Sequence, residues 1–369
     1  MRTPWFQIEN IDTIDTPALV VFPERVKENI ALAIKMVGDA ARLRPHVKTH
    51  KCKEVSQLLL DAGVTKFKCA TIAEAEMLAM TKAPDVLLAY QPVGAKINRL
   101  IHLIKNYPNT SFSCLADDKE IALQLNDAAR LANICLSVYI DLNVGMNRTG
   151  VAPEKAFSLY EQISKSSNLN FKGLHIYDGH IRDTDFEIRK TQCDEAYSRI
   201  EKLSNEIVNA GNSLPGIIIG GSPTFSVHSK REGVECSPGT FVYWDYGYAT
   251  KFSEQQFLPA ALVLSRIISL PDDDIICTDL GHKSIAAENA INNRVHFINA
   301  PELGFEAQSE EHLKLKAEKN HSYKIGDVLY GMPYHVCPTI ALYEKAITVE
   351  NGAAQGEWKT VARDRKINV

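Results

Sequence analysis

The feature that most constrains this chain is a regular alternation. Between Leu43 and Asp245, short apolar runs alternate with longer amphipathic stretches. The runs are LRPHV (43–47), KFKCA (66–70), DVLLAY (85–90), SFSCL (111–115), ICLSVYIDL (134–142), FKGLHIY (171–177), GIIIG (216–220) and TFVYWD (240–245). Each has the length of a strand. The stretches between most of them carry helical periodicity. In the clearest, 185–210, Cys193, Ala196, Ile200, Leu203 and Ile207 share one face. Strands alternating with helices imply parallel βα units. Eight such units predict an α/β fold of the (β/α)8 TIM-like barrel type, with a doubly wound open sheet as the alternative.

After about Tyr246 the rhythm changes. ALVLSRIISL, DIICTDLG, VHFINA, DVLYGMP and YEKAITVE read as strands with no long helices between them. The chain is therefore expected to divide into a barrel over 23–246 and a β domain built from 1–22 and 247–369.

Charge and cysteine usage narrow the function classes. The 41 basic and 45 acidic residues leave a net charge of −4, and the basic residues are scattered. That argues against nucleic acid or an anionic membrane as the main partner. No run approaches the roughly 18 apolar residues of a membrane span, and the N-terminus lacks the apolar core of a secretory signal. Eight cysteines with no CxxC pair do not make a disulfide framework. A cytoplasmic protein with reduced, mostly buried thiols is expected.

Six segments could carry chemistry. In RPHVKTHKC (44–52), Lys48 follows an apolar strand, where a barrel places its reactive groups, and His46 and His50 flank it. A lysine in a desolvated pocket can act as a nucleophilic amine toward carbonyls. A solvated basic loop is the competing reading, since Lys51 and Lys53 are close. In IDLNVGMNRTGV (140–151), Arg148 offers fixed donors to an anionic oxygen. In GLHIYDGHI (173–181), strand alternation puts His175, Tyr177 and Gly179 on one face, with His180 just past the strand end. GGSPT (220–224) and SPGTF (237–241) are small-residue loops whose N–H groups could cradle one phosphate. In YHVCP (334–338), His335 and Cys337 are spaced i, i+2. An extended backbone would turn both the same way, as two ligands of one metal require.

Taken in order, these motifs resemble the fold-type III family of pyridoxal phosphate (PLP) enzymes. Within it the chain is similar to the D-threonine aldolase and D-serine dehydratase group. The carrying residues are TPALVVF (16–22), RPHVKTHK (44–51), CATIAEAE (69–76), GMNRTG (145–150), YDGH (177–180), GGSPT, SPGTF, SEEH (309–312) and HVCPT (335–339). The resemblance implies an alanine-racemase-type barrel with a C-terminal β domain, and a homodimer acting on a small D-amino acid. It implies that Lys48 holds PLP as a Schiff base, that Arg148 contacts the phenolic oxygen and that Tyr177 lies at the ring. Gly221, Ser222, Gly239 and Thr240 then fall in the phosphate loops. His335 and Cys337 would hold a divalent metal, Zn²⁺ or Mn²⁺, near the substrate hydroxyl.

Two departures refine the expectation. Alanine racemases carry Arg where this chain has Ser237, facing the pyridine nitrogen, which speaks against a plain racemase. Aldolases of the group often have Asp as the second metal ligand, whereas dehydratases have Cys, as here at Cys337. The expected activity is a PLP- and metal-dependent lyase of the D-threonine aldolase type, with His180 as candidate base for the hydroxyl proton. The alternative is a dehydratase of D-serine or D-3-hydroxyaspartate, in which Lys48 removes the Cα proton. A racemase and a non-catalytic PLP-binding protein come behind both.

Overall fold

A computed structural model describes residues 4–369. Met1–Thr3, the start of the segment expected in the β domain, lie outside the described residues. The chain forms two compact units. One takes Leu32–Lys48, Ser56–Gly239 and Asp364–Val369. The other takes the described residues up to Ala31 together with Thr49–Val55 and Thr240–Arg363. The chain leaves the first unit directly after Lys48 and again directly after Gly239.

Strand β1 (Ala18–Val21) belongs to the second unit. The first unit holds β2 (Lys66–Cys69), β3 (Asp85–Leu88), β4 (Ser111–Ala116), β5 (Leu136–Leu142), β6 (Leu169–Ile176), β7 (Gly216–Ile219) and β8 (Val234–Cys236). These seven are parallel and pair in sequence order. The segment 43–47 fills the eighth position. Leu43 bridges Cys236 of β8, and His46 bridges Lys68 of β2, both in parallel. Backbone bonds run from Arg44 N to Cys236 O at 2.8 Å and from Val47 N to Lys68 O at 2.9 Å. The barrel expectation is met, with one shift. TFVYWD is not the last strand; Thr240–Val242 is a 3₁₀ turn, and the strand lies earlier, at Val234–Cys236.

Closure shows in the core. Leu87, Leu115, Tyr139 and Ile218, from β3, β4, β5 and β7, form one buried cluster. Strands that far apart in the sheet meet only across the inside of a curled sheet. Arg44 pins the closing segment. Its buried guanidinium pairs with Asp85 and Glu235, both at 2.6 Å. A buried guanidinium is tolerated because its planar fork finds two carboxylates.

The second unit adds β9 (Ala261–Asp272), β10 (Ile275–Thr278), β11 (Val295–Phe297), β12 (Gly304–Gln308), β13 (Leu313–Lys316), β14 (Val328–Pro333), β15 (Lys345–Glu350) and β16 (Ala353–Lys359). The sheet runs β12-β13-β10-β9-β1-β15-β16, with β14 beside β9 and β11 beside β14. Strand β1 pairs antiparallel with β9 and parallel with β15. The expected change to an all-β pattern holds, except that HVCP lies in a short helix, Val336–Ile340.

Candidate active site

Within the barrel unit, Lys48 stands half-buried in a turn at the end of the closing segment. Its backbone N–H donates to His46 Nδ1 at 3.3 Å, which holds the turn. The strand mouths around it carry the other expected groups. The Arg148 guanidinium lies over the Tyr177 ring, with Cζ 4.7 Å from the centroid. Tyr177 in turn packs on glycine. A Cβ on Gly221 would lie 2.9 Å from its ring, and one on Gly179 would lie 2.3 Å from it. Only glycine leaves room there. The Gly239 N–H donates to the Ser222 hydroxyl at 3.3 Å, so the two small-residue loops meet. A cradle of this kind, small residues beside a ring and a guanidinium, fits a flat phosphorylated cofactor held by a lysine.

The YDGH loop and GGSPT are tied by a buried carboxylate. Asp178 accepts from the Thr224 hydroxyl and from His228 Nε2, each at 2.8 Å. Gly221 N–H donates to Thr224 Oγ1 at 3.3 Å. Cys193 also comes near, so that ligand atoms of Asp178, Cys193 and His228 lie within 4.8 Å of one another. All three are buried. Burial pushes the Cys193 thiol well up, with Asp178 adding to the shift. A protonated thiol beside an Asp–His hydrogen bond reads first as a structural knot that orients Tyr177 and the loop.

His180 sits elsewhere along this rim. It packs on Gly145, where a Cβ would come 2.6 Å from its Nε2. It also lines a cavity of about 370 Å³ with Val144, Gln192, Glu195 and Arg199. Its Nδ1 is buried without a hydrogen-bond partner. Ser237 is buried, and its hydroxyl donates to Arg44 O at 3.1 Å. The position that racemases fill with arginine is here a short side chain tied to the backbone.

One row of side chains lies outside the six motifs. Lys68 of β2 reaches across the lumen to β6, its Nζ donating to His175 Nε2 at 3.5 Å. His175 Nδ1 donates to Asp141 at 2.7 Å. All three are buried. Burial lowers the His175 pKa, so the ring is neutral and its tautomer follows from the bond to Asp141. Burial also works to raise Asp141, but hydrogen bonds from His175 and Thr149 hold it below the usual carboxylate range. The signal was present in the sequence as a lysine flanked by Phe67 and Cys69 inside an apolar strand.

In the second unit, His335 caps the short helix with an extended backbone, and Cys337 lies in its first turn. The two side chains still meet. Burial acts to lower the His335 pKa, yet its hydrogen bond to Cys337 and its neighbours raise it to about 9. His335 Nδ1 donates to Glu288 at 2.5 Å. The Cys337 sulfur lies 3.2 Å from the Thr49 hydroxyl and 3.7 Å from that of Thr240. Asp245 accepts from Val336 N at 3.0 Å, and burial lifts its pKa to about 6. Imidazole, thiol and carboxylate form a donor set that suits Zn²⁺ or Mn²⁺. His335 and Glu288 are nearly half exposed, so such a site would be open to solvent. Thr49 and Thr240 are the chain neighbours of Lys48 and Gly239.

Residues 22–247 match the family model described as alanine racemase, N-terminal domain. Residues 260–349 match the putative serine dehydratase domain. The chain is 26% identical to a D-threonine aldolase of an Arthrobacter species over 359 residues, covering 95% of this chain and 93% of the relative. It is 25% identical to a 3-hydroxy-D-aspartate aldolase of Paracoccus denitrificans (strain Pd 1222), with the same coverage. Among solved structures it is similar to the D-threonine aldolase of Filomicrobium marinum. The TM-score is 0.88 at 25% identity, over 98% of this chain and 99% of that one.

Proposed function

The chain belongs to the alanine racemase N-terminal domain family of fold-type III PLP enzymes, and we propose that it is a PLP- and divalent-metal-dependent lyase that cleaves D-3-hydroxy amino acids to glycine and an aldehyde. The observation that carries this reading is Lys48 at a strand mouth, beside a rim where Arg148, Tyr177 and two glycine loops converge. Lys48 would hold the cofactor through its amine. Arg148 would meet its phenolic oxygen, and Gly221, Ser222, Gly239 and Thr240 would offer donors to its phosphate. PLP, when bound, supplies the electron sink for the pair left on Cα as a bond to it breaks. Ser237 brings no cation to the pyridine nitrogen, which favours a strong sink and disfavours simple racemisation.

The β unit supplies the second half of the chemistry. His335 and Cys337 would hold Zn²⁺ or Mn²⁺, whose charge lowers the pKa of a bound hydroxyl. His180 is the candidate acceptor for the β-hydroxyl proton, since its Nδ1 is buried and unpartnered. The likeness to aldolases over almost the whole chain supports cleavage of Cα–Cβ. Cys337 and the match to the serine dehydratase domain support the second reading, a dehydratase of D-serine or D-3-hydroxyaspartate in which Lys48 takes the Cα proton. A homodimer and a cytoplasmic location go with either reading. Among the described residues no helix is long and apolar enough to cross a membrane.

Product identification separates the two. With D-threonine, D-serine and D-3-hydroxyaspartate in turn, the aldolase reading expects glycine plus aldehyde. A 2-oxo acid plus ammonia would replace it with the dehydratase.

A further inference from the structure

Nothing in the proposed chemistry uses Lys68, yet it is one of the most buried charged side chains in the barrel, at 2% exposure. It pairs with Leu87 across β2 and β3, so it shares the lumen-facing row of the Leu87, Leu115, Tyr139 and Ile218 cluster. It stands one step from the C-terminal end of β2, as Asp141 and His175 stand near the ends of β5 and β6. The three form a buried row, Asp141 to His175 to Lys68, one step below the strand ends and beside the apolar cluster. The tautomer is fixed along it. His175 gives its one proton to Asp141, so its other nitrogen can only accept, and Lys68 is the donor. Burial this deep penalises the ammonium form of Lys68. Among the described residues no carboxylate pairs directly with Lys68, and its hydrogen-bond partner is a neutral ring.

We propose that Lys68, backed by His175 and Asp141, is a positioning residue for Lys48, taking up the proton that Lys48 carries when an incoming amine displaces it from the cofactor. This rests on Lys48 being the cofactor lysine. The transfer balances as Lys48 ammonium plus Lys68 amine giving Lys48 amine plus Lys68 ammonium. It leaves Lys48 neutral, the form that can next act as a base or rejoin the cofactor. His175 accepts the hydrogen bond of the new ammonium, and Asp141 stabilises its charge from behind.

Lys48 stands two residues after His46, which bridges Lys68, so the two lysines stand on neighbouring segments of the barrel. Burial is the largest influence on Lys68 and lowers its pKa, and Lys48 is the next. Asp141 and Asp178 raise it, Arg44 lowers it, and the balance is a pKa of about 7. These groups come from the closing segment, from β5 and from the loop after β6, and His175 comes from β6 itself. Below neutral pH Lys68 is charged and cannot accept; above it the amine is free.

The test uses holoenzyme and follows the visible band of the bound cofactor when glycine displaces Lys48 in a stopped-flow mixer. The wild-type rate is expected to rise through an inflection near neutral pH. Lys68→Met should lower the rate roughly 100-fold, a size usual for a positioned proton-transfer group, and erase the inflection. Lys68→Arg keeps the charge but cannot accept a proton in this range. It should behave like Lys68→Met, which a merely structural or electrostatic lysine would not do. Asp141→Asn keeps an acceptor for His175 but removes the charge that raises Lys68, so the inflection should move to lower pH. That variant also tests the proposal if Lys68→Met does not fold. An unchanged rate and profile in Lys68→Met, full rescue by Lys68→Arg, or an unmoved inflection in Asp141→Asn would overturn it. Failure of the parent reading looks different: wild-type protein would show no Lys48-dependent visible band at all.

Discussion

At the scale of single residues, the proposed chemistry depends on which lysine bears the cofactor. Lys48, Lys51, Lys53 and Lys68 lie within one short stretch and its neighbouring strand. Lys48 alone ends the barrel-closing segment, and the burial and hydrogen bond of Lys68 commit it to the lumen. Borohydride reduction of the yellow protein should therefore fix the cofactor to the peptide containing Lys48. Label on Lys51, Lys53 or Lys68 would reassign the centre. Ser237 sets the second residue-scale distinction. Bonded to Arg44 O, it is a neutral side chain at the position where the resemblance to racemases would put a cation. Much at this scale was legible from sequence, because reactive groups sit directly after apolar strands. The Lys68 row was not, because pairing across a lumen joins residues more than 100 positions apart.

At the scale of elements, strands were easy to read where they were long and apolar and hard where they were not. β8 has three residues, and the central one, Glu235, is spent on Arg44 and Lys66. It gives no hydrophobic signal. TFVYWD gives a strong one, because Phe241 to Trp244 are all buried, but they are buried in a tight turn with Trp244 at a positive φ of 44°. The helix at Val336–Ile340 was similarly masked by its brevity. The barrel wall also has a point of close approach that sequence does not announce. Gly173 of β6 pairs with Gly216 of β7 at a φ of +152°, and a Cβ there would lie 2.0 Å from the Gly216 carbonyl oxygen. Gly173→Ala is expected to destabilise the barrel by about 1–3 kcal/mol, the range for overpacking a filled interior. Urea denaturation should show the loss as a lower midpoint. An unshifted midpoint would mean that β6 and β7 separate more easily than their pairing implies.

At the scale of the whole molecule, the chain places its two reactive inventories in separate units. Lys48, Arg148, Tyr177, Gly221, Ser222 and Gly239 belong to the barrel unit, while Thr240, His335 and Cys337 belong to the β unit. Under the proposed function, turnover needs both, with the cofactor on one and a metal on the other. Removal of metal by EDTA tests it most directly, because the two halves then report separately. The chelated protein should keep its fold and its visible cofactor band, which depend on the barrel, and lose lyase turnover. Zn²⁺ or Mn²⁺ should restore it, since an open site exchanges its metal. Metal-free protein that cleaves D-3-hydroxy amino acids at the full rate would contradict the account and return His335 and Cys337 to a structural role.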